Sequence, residues 1–159
     1  VFRSLGKIHP ILDTYTGNME VTVAAGSLGI AKVAGGLISS LPSVWGAYNA
    51  AEDHLQSMLV SLESLKIVTT SLGHTVPTEI TGVEDKDDLN RVLKSTLKQC
   101  EKLVKSLNQQ VETLQRLDGT MSFWRKARYV WKLDDLLRVE RQLDKHTNLL
   151  NLILTTIQR

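Results

Sequence analysis

The residues of this chain whose types could do chemistry are four histidines, one cysteine and two adjacent acid pairs. His9, His54, His74 and His146 are scattered, and no two stand at the i, i+4 spacing that puts a pair of metal ligands on one helical face. They read as surface or helix-terminal residues. Cys100 falls in an apolar stripe away from any helix start, so it reads as a small buried hydrophobe rather than a nucleophilic thiolate. Asp87/Asp88 and Asp134/Asp135 stand at expected helix starts, where carboxylates complement the helix dipole; that role is favoured over paired acid–base catalysis. The glycines of residues 26–36 do not form a phosphate-cradling loop, because no strand precedes them and no Gly-Lys-Ser/Thr follows. The expectation is a chain that is not an enzyme and carries neither metal nor cofactor.

Two stretches remain. Residues 19–41, "MEVTVAAGSLGIAKVAGGLISSL", hold only Glu20 and Lys32 as charges. As a helix they would run roughly 35 Å, slightly more than the ~30 Å hydrocarbon thickness of a bilayer. Residues 123–132, "FWRKARYVWK", set Phe123, Trp124 and Trp131 beside Arg125, Lys126, Arg128 and Lys132. Such a run suits an anionic membrane interface, with rings at headgroup depth and cations on phosphates. It suits equally a solvated basic turn with Trp124 or Trp131 packed inward. Nucleic acid is not the expected partner, since the patch is small and the net charge of the chain is only +2. The charge is local: residues 19–83 carry five acidic and two basic groups, whereas residues 119–133 carry four basic groups and no acid.

The elements that must position these stretches are helical. The chain is Leu-rich, with few aromatics and three prolines, and residues 19–159 show no alternating strand pattern. A first helix is expected from about Glu20 to Ser40, with Val21, Ala24, Ala25, Leu28, Ala31, Ala34, Leu37 and Ile38 on one broad face. Pairs of small residues four apart, Ala25/Gly29 and Ala31/Gly35, would let a partner helix approach closely, and Pro42 would end or kink the helix. A second helix follows the capping box Asn49…Glu52, carries Leu55, Met58, Leu59, Leu62, Leu65 and Val68 inward, and stops at Gly73. The third, about Asp87 to Leu117, is the most sharply defined, its apolar residues recurring from Leu89 to Leu117 at alternating three- and four-residue steps. A fourth begins near Asp134 and buries Leu136, Leu137, Leu143, Leu149, Leu150, Ile153 and Ile157.

Four amphipathic helices with short connections make an all-α, four-helix-type bundle. Residues 1–18, broken at Pro10 with turn chemistry at Thr16-Gly17-Asn18, are set apart as a tag, linker or upstream segment, and residues 19–159 as the bundle domain. A single cysteine and no secretory signal point to the cytoplasm.

The succession of "MEVTVAAGSLGIAKVAGGLISSL", "AAEDHLQSMLVSLESLKIVTTSL", a long Leu-repeating helix and "FWRKARYVWKLDDLLRVERQLDKHTNLLNLIL" resembles the N-terminal, HeLo-like domains of fungal STAND/NLR proteins over residues 19–158. Those domains are similar to plant coiled-coil NLR domains and to the four-helix bundle of mixed-lineage kinase-like pseudokinases. The resemblance implies an N-terminal effector ahead of a nucleotide-binding domain, in the same or a partner chain. It further implies homo-oligomerisation, movement from the cytoplasm to anionic lipids of the plasma membrane, and regulated cell death in fungal innate immunity or heterokaryon incompatibility. Carried onto this chain, the membrane-active helix would start at Met19 and present Val21, Leu28, Ile30, Val33, Leu37 and Ile38. The eighteen residues before Met19 and the proline at 42 depart from that pattern. The alternative is a helical protein–protein interaction module without membrane activity.

Overall fold

In the computed structural model, four helices are described: α1 (His9–Trp45), α2 (Glu52–Glu79), α3 (Lys86–Arg116) and α4 (Leu133–Ile157). Side chains are described within residues 23–42, 54–75, 87–116 (except 114) and 134–158. The described residues contain no strand, and the fold is an all-α bundle.

Heptad arithmetic explains how the bundle closes. In α3, Leu93, Leu97, Cys100, Val104, Leu107 and Val111 alternate steps of four and three, and all are buried. In α1 the same rhythm runs Val23, Ser27, Ile30, Ala34, Leu37, Leu41. Leu136, Leu143, Leu150 and Ile157 of α4 stand seven apart, with Thr147 between them also buried. Leu55, Met58, Leu62, Leu65, Val68 and Leu72 of α2 complete a single core. Burying each such Leu, Ile or Met stabilises the fold by about 1.5–3 kcal/mol.

Packing joins α1 to α2, α2 to α4, α4 to α3 and α3 to α1, which leaves α1–α4 and α2–α3 across the diagonals. Leu28 meets α2 at Gly73 and Gly35 meets it at Lys66, so α1 and α2 run antiparallel. On the next seam, Ser57 donates to the Glu140 carboxylate, and Ser61 Oγ donates to Asp144 Oδ1 at 2.6 Å. Both partners advance by four residues, so α2 and α4 run parallel. The ion pairs among described residues, such as Lys105–Glu101 and Arg91–Asp88, lie within single helices and are exposed. Pairs of this kind contribute about 0–1 kcal/mol each, so apolar burial holds the bundle together.

Several element boundaries differ from expectation. Helix α1 begins at His9, not near Glu20, and Thr16, Gly17 and Asn18 are helical. Pro10 stands in the first turn, where its missing N–H would have had no helical acceptor. Pro42 does not end α1, which continues to Trp45. Nor does Gly73 stop α2, which continues to Glu79. A Cβ at position 73 would lie 2.7 Å from Leu28 Cγ and 2.8 Å from Leu28 Cδ2. The glycine is there to admit the α1 side chain, not to cap a helix. Asn49, the expected cap, lies outside the described residues.

Candidate membrane-active helix

Helix α1 has four faces. Val23, Ser27, Ile30, Ala34, Leu37 and Leu41 point into the core. Leu28 and Gly35 lie against α2, and Gly26 borders α3. The remaining face, Ala25, Gly29, Lys32, Gly36 and Ser39, is exposed.

This arrangement changes the reading of the small residues. A Cβ placed on Gly26, Gly29 or Gly36 would meet nothing within 4 Å, so Gly29 and Gly36 face open space and Gly26 faces an open groove beside α3. The Ala25/Gly29 pair is exposed and admits no partner within the bundle, contrary to expectation. A Cβ on Gly35 would meet only the aliphatic part of Lys66, at 3.9 Å. The broad face predicted for α1 was therefore turned partly outward: Ala25 and Leu28 are exposed, and Val23 and Ser27 take their places inside.

The predicted membrane-active side chains do not form one surface in the bundle. Ile30 and Leu37 are buried, Val33 and Ile38 are half-buried against the core, and Leu28 is 40% exposed beside Gly73. The Val21 side chain lies outside the described residues, as does the entire basic–aromatic run of Phe123, Trp124, Arg125, Lys126, Arg128, Trp131 and Lys132. The segment Val23–Pro42 is long and apolar enough to cross a membrane, and only a third of it is buried. Lys32 is its one charge and is exposed near its midpoint.

Local features of α1 bear on its stiffness. Ser39 Oγ donates to the Gly35 carbonyl at 3.1 Å, and Ser40 Oγ to that of Gly36 at 2.8 Å. Serine back-bonding of this kind bends helices slightly, and it precedes Pro42, which cannot donate to the carbonyl of Ile38. These features weaken the last turns of α1.

Cys100 is fully buried, and burial pushes its thiol up to about 12, although its own backbone contact opposes the shift. A thiol held protonated is no nucleophile. Asp88 pairs with Arg91 and Asp135 with Arg138, each within the first turns of its helix. Burial, with Lys145 adding to it, lowers the basicity of His146. Among the described residues no three His, Cys, Asp or Glu converge as metal ligands. Two features went unread in the sequence: the Gly73–Leu28 contact, and the Ser57/Ser61 ladder onto Glu140/Asp144. The matching i, i+4 spacing of both polar pairs was the available signal for the ladder.

Comparison with family models, with curated proteins and with solved structures finds no match to this chain.

Proposed function

We propose that this chain is a non-enzymatic effector domain. It rests as a cytoplasmic bundle, oligomerises, and then perturbs the plasma membrane through α1 to cause regulated cell death, as its resemblance to fungal HeLo-like domains implies. The observation that carries this reading is the segment Val23–Pro42, apolar over a membrane's thickness and two-thirds unburied in the bundle. The downstream nucleotide-binding domain and the fungal immune setting rest on the resemblance alone.

Energetics sets the terms of release. Withdrawing α1 exposes Val23, Ile30, Leu37 and Leu41, at roughly 1.5–3 kcal/mol each, or about 6–12 kcal/mol together. That is comparable with the ~5–15 kcal/mol stability of a whole domain, so a monomer stays closed without a trigger. A bilayer returns an apolar environment to those side chains. Lys32 opposes insertion by about 2.5–3.5 kcal/mol at the bilayer centre. An oligomer offsets this when the face bearing Ala25, Gly29, Lys32 and Gly36 turns toward a polar interior or a neighbouring α1, where small residues permit close approach.

The test is dye release from anionic and neutral liposomes by an oligomerised form of the chain. It compares wild type with Leu28→Glu and with Arg125/Lys126/Arg128→Ala, each first shown to be folded by circular dichroism. Leakage that requires anionic lipid and both sites supports the proposal. Absence of both leakage and vesicle binding moves the assignment to an interaction module. That second reading has its own observation: Val60 and Ile67, 64% and 59% exposed, stand two turns apart on α2. Leu93, Leu97 and Leu107 of the α3 stripe are spent in the core and leave such a partner no surface there.

A further inference from the structure

A groove of about 360 Å³ runs between α1 and α3, away from the exposed ridge of α1. Its lining is chemically divided. Val23, Ile30 and Leu97 are buried apolar side chains, and Gly26 keeps the groove open because it has no side chain to fill it. Lys94, Lys98 and Glu101 form the α3 side. Glu101 is engaged by Lys105 at 2.5 Å. Lys94 and Lys98, by contrast, have no ionic partner among the described residues, and they stand one turn apart on the same edge of α3. At i, i+4 spacing their Cβ atoms are about 5–6 Å apart, close enough for both ammonium groups to reach one anionic head.

We propose that this α1–α3 groove binds the single acyl chain of a long-chain fatty acid on Val23, Gly26, Ile30 and Leu97, with its carboxylate held between Lys94 and Lys98. Size and charge select this occupant. The groove stands at the lower end of the roughly 300–1,000 Å³ range of small-ligand sites, which suits one alkyl chain rather than the two of a membrane phospholipid. Glu101 is already held by Lys105, so the two remaining lysines present their charge to an anionic head, and the two oxygens of one carboxylate can accept from both. Charge-assisted contacts to the lysines fix the head, and burial of methylenes supplies most of the affinity. The inference stands apart from the membrane reading, because the groove belongs to the closed bundle. If both hold, a bound fatty acid ties α1 to α3 and opposes release.

The test is calorimetric titration of the whole chain with dodecanoate, dodecanol and dodecyl phosphate, all below micelle-forming concentration. Dodecanoate binds one to one and saturably. Gly26→Leu fills the groove and weakens binding of both dodecanoate and dodecanol at least tenfold. Lys94→Gln/Lys98→Gln changes only exposed side chains; it weakens dodecanoate by about tenfold and leaves dodecanol unchanged. Circular dichroism confirms folding, and the lysine variant decides the matter if Gly26→Leu does not fold. No saturable binding would overturn the proposal. So would equal affinity of wild type for dodecanoate and dodecanol, tighter binding of dodecyl phosphate, or indifference to both variants. Vesicle leakage plays no part in this readout, so its failure and that of the membrane reading are separately visible.

Discussion

Gly73→Ala is the most informative single change in the bundle, because two effects of known sign oppose one another there. Gly73 is interior to α2, where alanine is favoured over glycine by about 0.8–1.0 kcal/mol. The new methyl would fall 2.7 Å from Leu28 Cγ and 2.8 Å from Cδ2, so Leu28 must move; the nearest backbone atom, the Ala24 carbonyl oxygen, is 3.5 Å away and can stay. Leu28 is 40% exposed and has room to turn outward. Turning costs about 0.5–1.5 kcal/mol of rotamer strain and roughly 1 kcal/mol of lost burial. Gly73→Ala in wild type should therefore be destabilising by about 0.5–1.7 kcal/mol. In a Leu28→Ala background both clashing atoms are gone, and the same substitution should stabilise by about 1 kcal/mol. The double-mutant cycle, read by urea unfolding, thus predicts a coupling of about 1.5–2.5 kcal/mol. Coupling below ~0.5 kcal/mol, with Gly73→Ala stabilising in both backgrounds, would refute the close packing of α1 on α2.

Three further outcomes follow from burial. Leu143 is fully buried, so Leu143→Ala should cost about 2–5 kcal/mol in denaturant unfolding, while Leu152→Ala, at a position 64% exposed, should stay within ~0.5 kcal/mol. The Thr147 hydroxyl is buried without a hydrogen-bond partner among the described residues, so Thr147→Val should raise stability by roughly 1 kcal/mol in the same assay. Cys100 should resist thiol reagents until the chain is denatured. Its folded-state value of about 12 lies above the ordinary 9.0, so its contribution is intact below pH 9. That contribution declines as pH rises toward 12, because only the unfolded thiol ionises over that interval. Unfolding titrations from pH 8 upward should show this component in wild type and not in Cys100→Val.

Helix α3 was legible in the sequence because its leucines and valines contrast sharply with the lysines and glutamates between them. Its expected span, Asp87 to Leu117, differs from Lys86–Arg116 by one residue at each end. Within it only Val92, 41% exposed, was misplaced among the stripe residues described. The orientation of α1 was not legible, because Ala and Gly occur on every face and offer no polar contrast. Ser27, a polar residue, occupies a core position while Ala25 does not. Local chemistry makes Gly73 a stop and Pro42 a stop or a kink; the first is overridden by the leucine of another helix, and at the second the helix continues to Trp45 although the Ile38 carbonyl loses its N–H donor. The length and apolarity of the candidate membrane segment were plain from composition. Its partition into a buried seam and a bare small-residue ridge required the packing of α2 and α3.

The measurement that bears most directly on the central claim is a fluorescence report from α1 on membranes. Val33→Cys places a half-buried thiol on α1, and the buried Cys100 leaves it the preferred site for an environment-sensitive label. On anionic vesicles that the oligomerised chain permeabilises, the account predicts a blue-shifted emission quenched by nitroxide-bearing acyl chains. On neutral vesicles no change is expected. Leakage with the emission unchanged from that of the free bundle would contradict insertion of α1.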